Sequence, residues 1–314
     1  MQAIIDDDYR MPEGGDLDRL TGALEPLLGS TDPFLRENAL EILWQWGQNG
    51  LYSDEQLIAL GDRMAANLAV GLGESGTDSV FVRAFSALVL AMVVIVDQRC
   101  EAGQFEGRTA FVGRERMLDW YERALACFAG ERDRRGYVPT DKGWAHSVAH
   151  LADVLSDFAR SPHLGAEHLE RLLDAVAAKM IEPADLVYLF DEDQRVTQMV
   201  FAVLRRNEVS MPFLRRWLNK LGHTQDGGHW ADAFGLERFD RESNHARVNA
   251  RAFLRSLYFQ LVIGSRSYRA NVLPDAFARP VEARVELTQA VVEVLKTMDR
   301  YFYPRDEEPE PAAE

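Results

Sequence analysis

The sequence predicts an all-α fold, and three observations lead to that prediction. Apolar residues recur three or four positions apart along nearly the whole chain, and no comparable alternation of apolar and polar residues predicts a sheet. Helix-sized segments follow one another in pairs about every 40 residues, which is typical of HEAT and armadillo repeats. We therefore expect a right-handed α-α superhelix, with a closed α/α toroid as the alternative.

About eleven segments show this helical spacing, and local signals mark where some of them begin. Asp32 followed by Pro33 is a typical helix start, and Ser53 and Gln56 have the spacing of a capping box. We expect one helical-repeat domain over 1–305 and a disordered acidic tail over 306–314. The predicted helical segments are 17–27, 35–46, 57–68, 84–96, 118–128, 144–158, 169–180, 196–203, 214–221, 254–261 and 291–302.

The composition indicates where the protein is located and which classes of partner it does not bind. Of 314 residues, 47% are hydrophobic, which is enough for a substantial core. The net charge of −15 opposes nonspecific binding to nucleic acid or anionic lipid, and we expect neither as a partner. The longest apolar run, 84–96, is too short to span a bilayer and is predicted to be a buried helix. The N-terminus has no signal-peptide pattern, so we expect a cytoplasmic protein.

One predicted helix carries the most informative polar residues. At about 100° per residue, Trp144 falls on its apolar stripe, and we expect Trp144 to be a core anchor. The residues on the opposite face are His146, His150, Asp153 and Asp157. An ordinary solvated helix face would have the same pattern. In a two-layer helical array, however, such a polar line lies on a concave surface that binds a protein or a small ligand.

The same residues permit a metal site. His146 and His150 are one helical turn apart, and Asp153 would complete a two-His, one-carboxylate set for Zn²⁺ or Fe²⁺. Three ligands on one straight helix converge poorly, so a further ligand is expected from His223 or His229. The alternative function is therefore a metal-dependent hydrolase or oxygenase centred on His146 and His150.

An irregular segment over 222–245 interrupts the helical pattern. It contains four glycines and three histidines, and long irregular segments in compact domains often carry function. We expect its glycine turn to hold Trp230 against the body of the protein, and we include Trp230 in the predicted ligand-binding surface.

Three segments of the chain form a recognisable set. They are Gly143-Trp-Ala-His-Ser-Val-Ala-His-Leu-Ala-Asp153, Asp191-Glu-Asp193 and Arg251-Ala-Phe-Leu-Arg-Ser-Leu-Tyr258. Together they resemble the bacterial family called domain of unknown function 2785, over roughly residues 20 to 265. The resemblance implies an all-helical cytosolic bacterial protein, implies no activity, and draws attention to His146, His150 and Asp153 as a recurring polar set.

The sequence contains no complete catalytic set: it has no phosphate-binding glycine loop, no Gly-x-Ser-x-Gly elbow and no Cys-x-x-Cys pair. The leading hypothesis is therefore a noncatalytic binding or scaffold module, and the metal-dependent enzyme remains the alternative.

Overall fold

The computed structural model describes residues 1–139, 141–235, 238–266, 278–299 and 303, and within them the chain is mostly helical. Two short 3₁₀ helices, Glu25–Gly29 and Trp230–Ala233, and two tiny strand pairs accompany the α-helices. The α-helices of this part of the chain are α1 (Gln2–Asp6), α2 (Leu17–Leu24), α3 (Pro33–Gln48), α4 (Asp54–Asn67), α5 (Ser79–Glu101), α6 (Arg114–Gly130), α7 (Ser147–Arg160), α8 (Ala166–Ile181), α9 (Glu192–Leu204), α10 (Met211–Leu221), α11 (Arg241–Ile263) and α12 (Arg284–Met298). The strands are β1 (Tyr137–Val138), β2 (Gly143–Trp144), β3 (Phe234–Gly235) and β4 (Arg238–Phe239), paired β1 with β2 and β3 with β4.

Side-chain caps explain several of the helix starts. The Asp32 carboxylate accepts the backbone N–H of Phe34 at 2.8 Å, with Pro33 in the first turn of α3. Ser53 and Gln56 form the predicted capping box of α4. These caps satisfy backbone donors that the first helical turn leaves without partners, so the local sequence sets where these two helices begin.

The helices pack in two rows. In one row α3 packs on α5, α5 on α7, α7 on α9 and α9 on α11. In the other row α4 packs on α6, α6 on α8, α8 on α10 and α10 on α12. The rows pack on each other through the pairs α4 with α5, α6 with α7 and α11 with α12. Each helix thus buries its apolar side against its neighbours, and α5 and α7 lie in the middle of the first row.

Helix α5 contains the longest apolar run of the sequence. By length and composition alone it could cross a membrane, but 83% of its most apolar stretch is buried inside the fold. The prediction of a buried core helix over 84–96 is confirmed. Cys100 on α5 and Cys127 on α6 are free and buried.

Helix α7 begins later than the sequence predicted. Gly143 and His146 have φ angles of 71° and 51°, so the backbone before Ser147 is not helical. The N–H groups of Ala145 and His146 bond to the carbonyl of Gly136 instead, at 2.9 and 3.2 Å. The expectation that Trp144 anchors a helix in the core was therefore wrong: it lies in β2 and is 39% exposed.

The C-terminal predictions have mixed outcomes. Helix α11 extends over 23 residues and begins well before the apolar stripe at 254–261, because its first turns are polar and capped by Asp240. Residues 300–302, at the end of the last predicted helix, and the predicted tail 306–314 lie outside the described residues.

Candidate functional site

A buried ion-pair network fixes the chain between α6 and α7. Glu131 and Arg83 are both fully buried, and two guanidinium nitrogens of Arg83 donate to the Glu131 carboxylate at 2.9 Å. The same carboxylate accepts the Ser147 hydroxyl at 2.6 Å and the backbone N–H of Asp133 at 2.9 Å. One carboxylate therefore ties the end of α6, the following loop and the first residue of α7 to α5.

A second arginine holds the β1–β2 hairpin from below. Arg36 of α3 is fully buried and donates to the carbonyls of Lys142 and Trp144 at 2.7 and 3.1 Å. Its guanidinium lies 4.2 Å from the ring centre of Phe81 and 4.8 Å from that of Phe85. The hairpin is thus anchored by a charged group at its base, which leaves its outer face free to carry other side chains.

Three half-exposed aromatic rings form that outer face, which we call the aromatic surface: Tyr137, Trp144 and Phe190. Tyr137 and Trp144 are directly opposite each other in the hairpin, so their side chains share one face. The Trp144 ring centre lies 5.1 Å from that of Tyr137 and 5.5 Å from that of Phe190, both nearly perpendicular. Gly136 makes the approach of Phe190 possible, because a Cβ there would collide with the Phe190 ring.

His146 lies directly behind the aromatic surface. Its ring is 5.2 Å from that of Trp144 and tilted by 30°, and its Nε2 donates to the carbonyl of Phe190 at 2.7 Å. The Glu192 carboxylate lies 3.5 Å from the same nitrogen. Burial lowers the pKa of His146, although Glu192 and the Phe190 bond act in the opposite direction. His146 therefore links the start of α7 to the start of α9.

The rest of the predicted polar line is buried. His150 packs edge-on against Phe85 at 5.4 Å, and burial lowers its pKa to about 3. Asp153 receives both a 2.8 Å bond from Nε and a second bond from the guanidinium of Arg195 on α9. Asp157 is fully buried and pairs with Arg160. These three residues lie neither on an open concave surface nor on a solvated helix face, because α5 packs against one side of α7 and α9 against the other.

The proposed metal ligands do not converge. His146 and His150 have ring centres 5.6 Å apart, but the carboxylate of Asp153 is engaged by Arg195. His223 and His229 pair with each other through a backbone bridge, with ring centres 5.9 Å apart. Among the described residues, no three His, Cys, Asp or Glu side chains form a group that could hold a metal ion.

Trp230 also occupies a structural position. Its ring is buried, and its Nε1 donates to the carbonyl of Leu221 at 3.1 Å, which holds the irregular segment to the end of α10. The predicted contact of Trp230 with the protein body agrees with this, but its indole is not available on a surface.

Most residues of the aromatic surface could not be predicted from the sequence pattern. Tyr137 lies in β1 and Phe190 lies in the loop before α9, so both are outside the helical stripes. Arg195 lies on a different helix from the carboxylate that it binds. Two signals were available: Gly136 directly precedes β1 and Gly143 begins β2, and Phe190 directly precedes the acidic segment Asp191–Asp193.

Fold and site together define a mostly helical protein with an exposed aromatic surface. Behind this surface, His146, His150 and Asp153 are engaged by neighbouring residues of the same chain. The chain belongs to the family described as "Protein of unknown function (DUF2785)", whose model matches residues 68–259. The match covers the three segments that carry the resemblance, and it begins later than residue 20. No curated protein and no solved structure matches the chain.

Proposed function

We propose that this chain is a noncatalytic, cytoplasmic binding module that uses its aromatic surface to bind a segment of a partner protein. The observation that carries the proposal is that three large rings remain half-exposed although their backbone is rigidly anchored. Exposed aromatic side chains with few rotatable bonds are the typical anchors of protein interfaces, since ordering them on binding costs little entropy.

The surface suits a partner segment with both apolar and basic side chains. Leu189, next to Phe190, is 76% exposed, and Leu186 is also exposed, so apolar area continues beyond the rings. Asp191 is exposed at the start of α9, and the chain carries a net charge of −15. Lysine or arginine side chains would be attracted both by this charge and by the faces of the aromatic rings.

The two rows of helices support a helical-repeat architecture for the module. We propose that they form a short right-handed α-α superhelix of HEAT or armadillo type, because the extensive contacts run between neighbours in each row. A closed toroid would also need extensive packing between the first and last helices, and the described residues provide none. The hypothesis of a metal-dependent enzyme is less well supported, because two of its proposed ligands have other partners. Asp153 forms an ion pair with Arg195, and Nε2 of His146 is hydrogen-bonded to the carbonyl of Phe190.

Binding of defined synthetic peptides tests this proposal. Peptides that combine aliphatic and arginine or lysine residues are compared with peptides in which each basic residue is replaced by glutamate, using fluorescence anisotropy. We expect the basic set to contain binders, and Trp144→Ala to weaken the best of them at least about tenfold, as for an interface hot spot. Phe259→Ala removes an exposed ring on α11 and should leave affinity unchanged.

Two results would refute the proposal. One is that no peptide of the basic set binds. The other is that the Trp144 and Phe259 variants bind equally well, which would place the interaction elsewhere. Circular dichroism and thermal unfolding of both variants establish that a lost interaction does not reflect a lost fold.

A further inference from the structure

A cavity lies at the opposite end of α7 from the aromatic surface. Helix α7 has 14 residues, so its two ends are about 20 Å apart. The cavity has a volume of about 610 Å³ and lies among the C-terminal ends of α5, α7 and α9. This volume is within the range of pockets that hold small organic ligands.

The charged side chains that line the cavity are mainly cationic. Four arginines and two glutamates face it, in a chain that is otherwise strongly acidic. They are Arg160, Arg205, Arg206, Arg279, Glu101 and Glu208. Guanidinium groups thus outnumber carboxylates among the side chains that line this cavity, although the whole chain carries a net charge of −15.

One of the four arginines, Arg206, has a structural role. Arg206 donates to the carbonyls of Ala159, Ser161 and Leu164 and pairs with Glu208 at 2.6 Å, so it closes the end of α7. Its role in the fold is accounted for by these bonds.

Arg160 and Arg205 lie close together at the cavity wall. Arg160 is held by the Ser156 hydroxyl at 2.9 Å and by the buried Asp157. Arg205 donates to the carbonyl of Ser265 at 2.7 Å, with its guanidinium 5.4 Å from the ring centre of Phe201. Burial, and after it the charge of Arg160, lowers the pKa of Arg205. Two guanidinium groups, one of them paired with Asp157, are thus held near each other by the fold.

Arg279 adds a third guanidinium from outside the helix ends, and it is exposed. Guanidinium groups match the geometry of phosphate oxygens in paired hydrogen bonds, and an anion between them offsets their mutual repulsion. Ala102, Pro162 and Ala202 supply apolar area for the organic part of a ligand.

We propose that the cavity between the C-terminal ends of α5, α7 and α9 binds a small phosphorylated molecule through Arg160, Arg205 and Arg279. The site is separate from the aromatic surface, and the proposal does not depend on the function assigned to that surface.

Titration calorimetry of the full chain with inorganic pyrophosphate and with inorganic phosphate tests this site, at constant ionic strength set with sodium chloride. We expect saturable binding of pyrophosphate. Arg205→Gln and, separately, Arg279→Gln should each weaken it at least tenfold. The control is Arg215→Gln, because Arg215 lies on α10 and pairs there with Glu286. Arg215→Gln should leave the affinity unchanged.

Arg279 is exposed, so its substitution leaves the core intact and keeps the test valid even if Arg205→Gln unfolds the chain. Absence of pyrophosphate binding at millimolar concentration would overturn the proposal. Binding that Arg279→Gln leaves unaltered, or that Arg215→Gln weakens as much, would also overturn it, because the anion would then bind elsewhere.

Discussion

Acid should destabilise this protein through His150, in an amount that the structure allows to be worked out. Burial lowers the pKa of this histidine to about 3, while in the unfolded chain it takes up a proton near its ordinary value of 6.5. Between these values the unfolded state binds one proton more than the folded state. Stability is therefore complete above about pH 6.5 and is lost as the pH falls towards 3.

The expected magnitude follows from the same two pKa values. Each unit of pH in that window costs about 1.4 kcal/mol, so between about pH 7.5 and pH 4.5 His150 should remove about 3 kcal/mol of the free energy of unfolding. His146, Asp153 and Arg195 also face this ring and titrate or carry charge. A comparison with a variant that lacks only the His150 imidazole separates its contribution from theirs.

Urea unfolding of the parent chain and of His150→Leu across this pH range gives the required comparison. Leucine fits the apolar contact with Phe85 and does not titrate. The difference in free energy of unfolding between parent and variant should shift by about 3 kcal/mol in favour of the variant as the pH falls. Val148→Ala is the matched control on α7, and its cost should be the same at every pH. A parent-to-variant difference that stays constant with pH would refute the reasoning.

Two further substitutions test the packing. Glu131→Gln should lower the free energy of unfolding by about 3 kcal/mol or more, because it leaves the Arg83 guanidinium buried without its carboxylate; a cost below about 1 kcal/mol in urea unfolding would contradict this. Gly61→Ala should cost about 1–3 kcal/mol, because its Cβ would collide with the rigid indole of Trp120 where α4 meets α6. In urea unfolding, Gly47→Ala should cost less than Gly61→Ala, since the neighbour of Gly47 is the flexible side chain of Met92, and equal costs would contradict the explanation.

The three segments that carry the family resemblance contribute in different ways. In the first, Trp144 is displayed on the surface, whereas His150 and Asp153 are buried against neighbouring helices. In the second, Glu192 accepts the backbone N–H of Phe190 at 2.9 Å and approaches His146. In the third, Arg251 pairs at 2.9 Å with Asp299, the residue directly after α12. Most of this polar set therefore holds helices together, and one aromatic residue of it faces outward.

Helix content and most helix positions were accessible from the sequence, because both depend on neighbours three or four residues apart. Asp32 with Pro33 and the Ser53–Gln56 capping box mark their helices through bonds within a single turn. The short apolar run 84–96 predicted that α5 is buried, whereas the whole helix is long and apolar enough to cross a membrane, and its packing shows the burial. Structural features that depend on hydrogen bonds between near neighbours in the chain can therefore be predicted from the sequence.

The site was only partly accessible, because its contacts join residues far apart in the chain. The apolar periodicity predicted that α7 begins at Trp144. In the structure, Trp144 instead pairs with Tyr137 in a hairpin, and Arg36 donates a hydrogen bond to its carbonyl.

The polar line on α7 shows the same division. Its spacing was read correctly from Ser147 onward, and the sequence placed His150 and Asp153 on one face of a helix. That this face lies against α9, where Arg195 neutralises Asp153, depends on how the rows of helices pack. The sequence by itself determined which segments are helices, through short-range hydrogen bonds and apolar spacing. Only the tertiary structure decided which polar residues are buried and which aromatic rings remain exposed, because burial is a property of the neighbours that folding brings together.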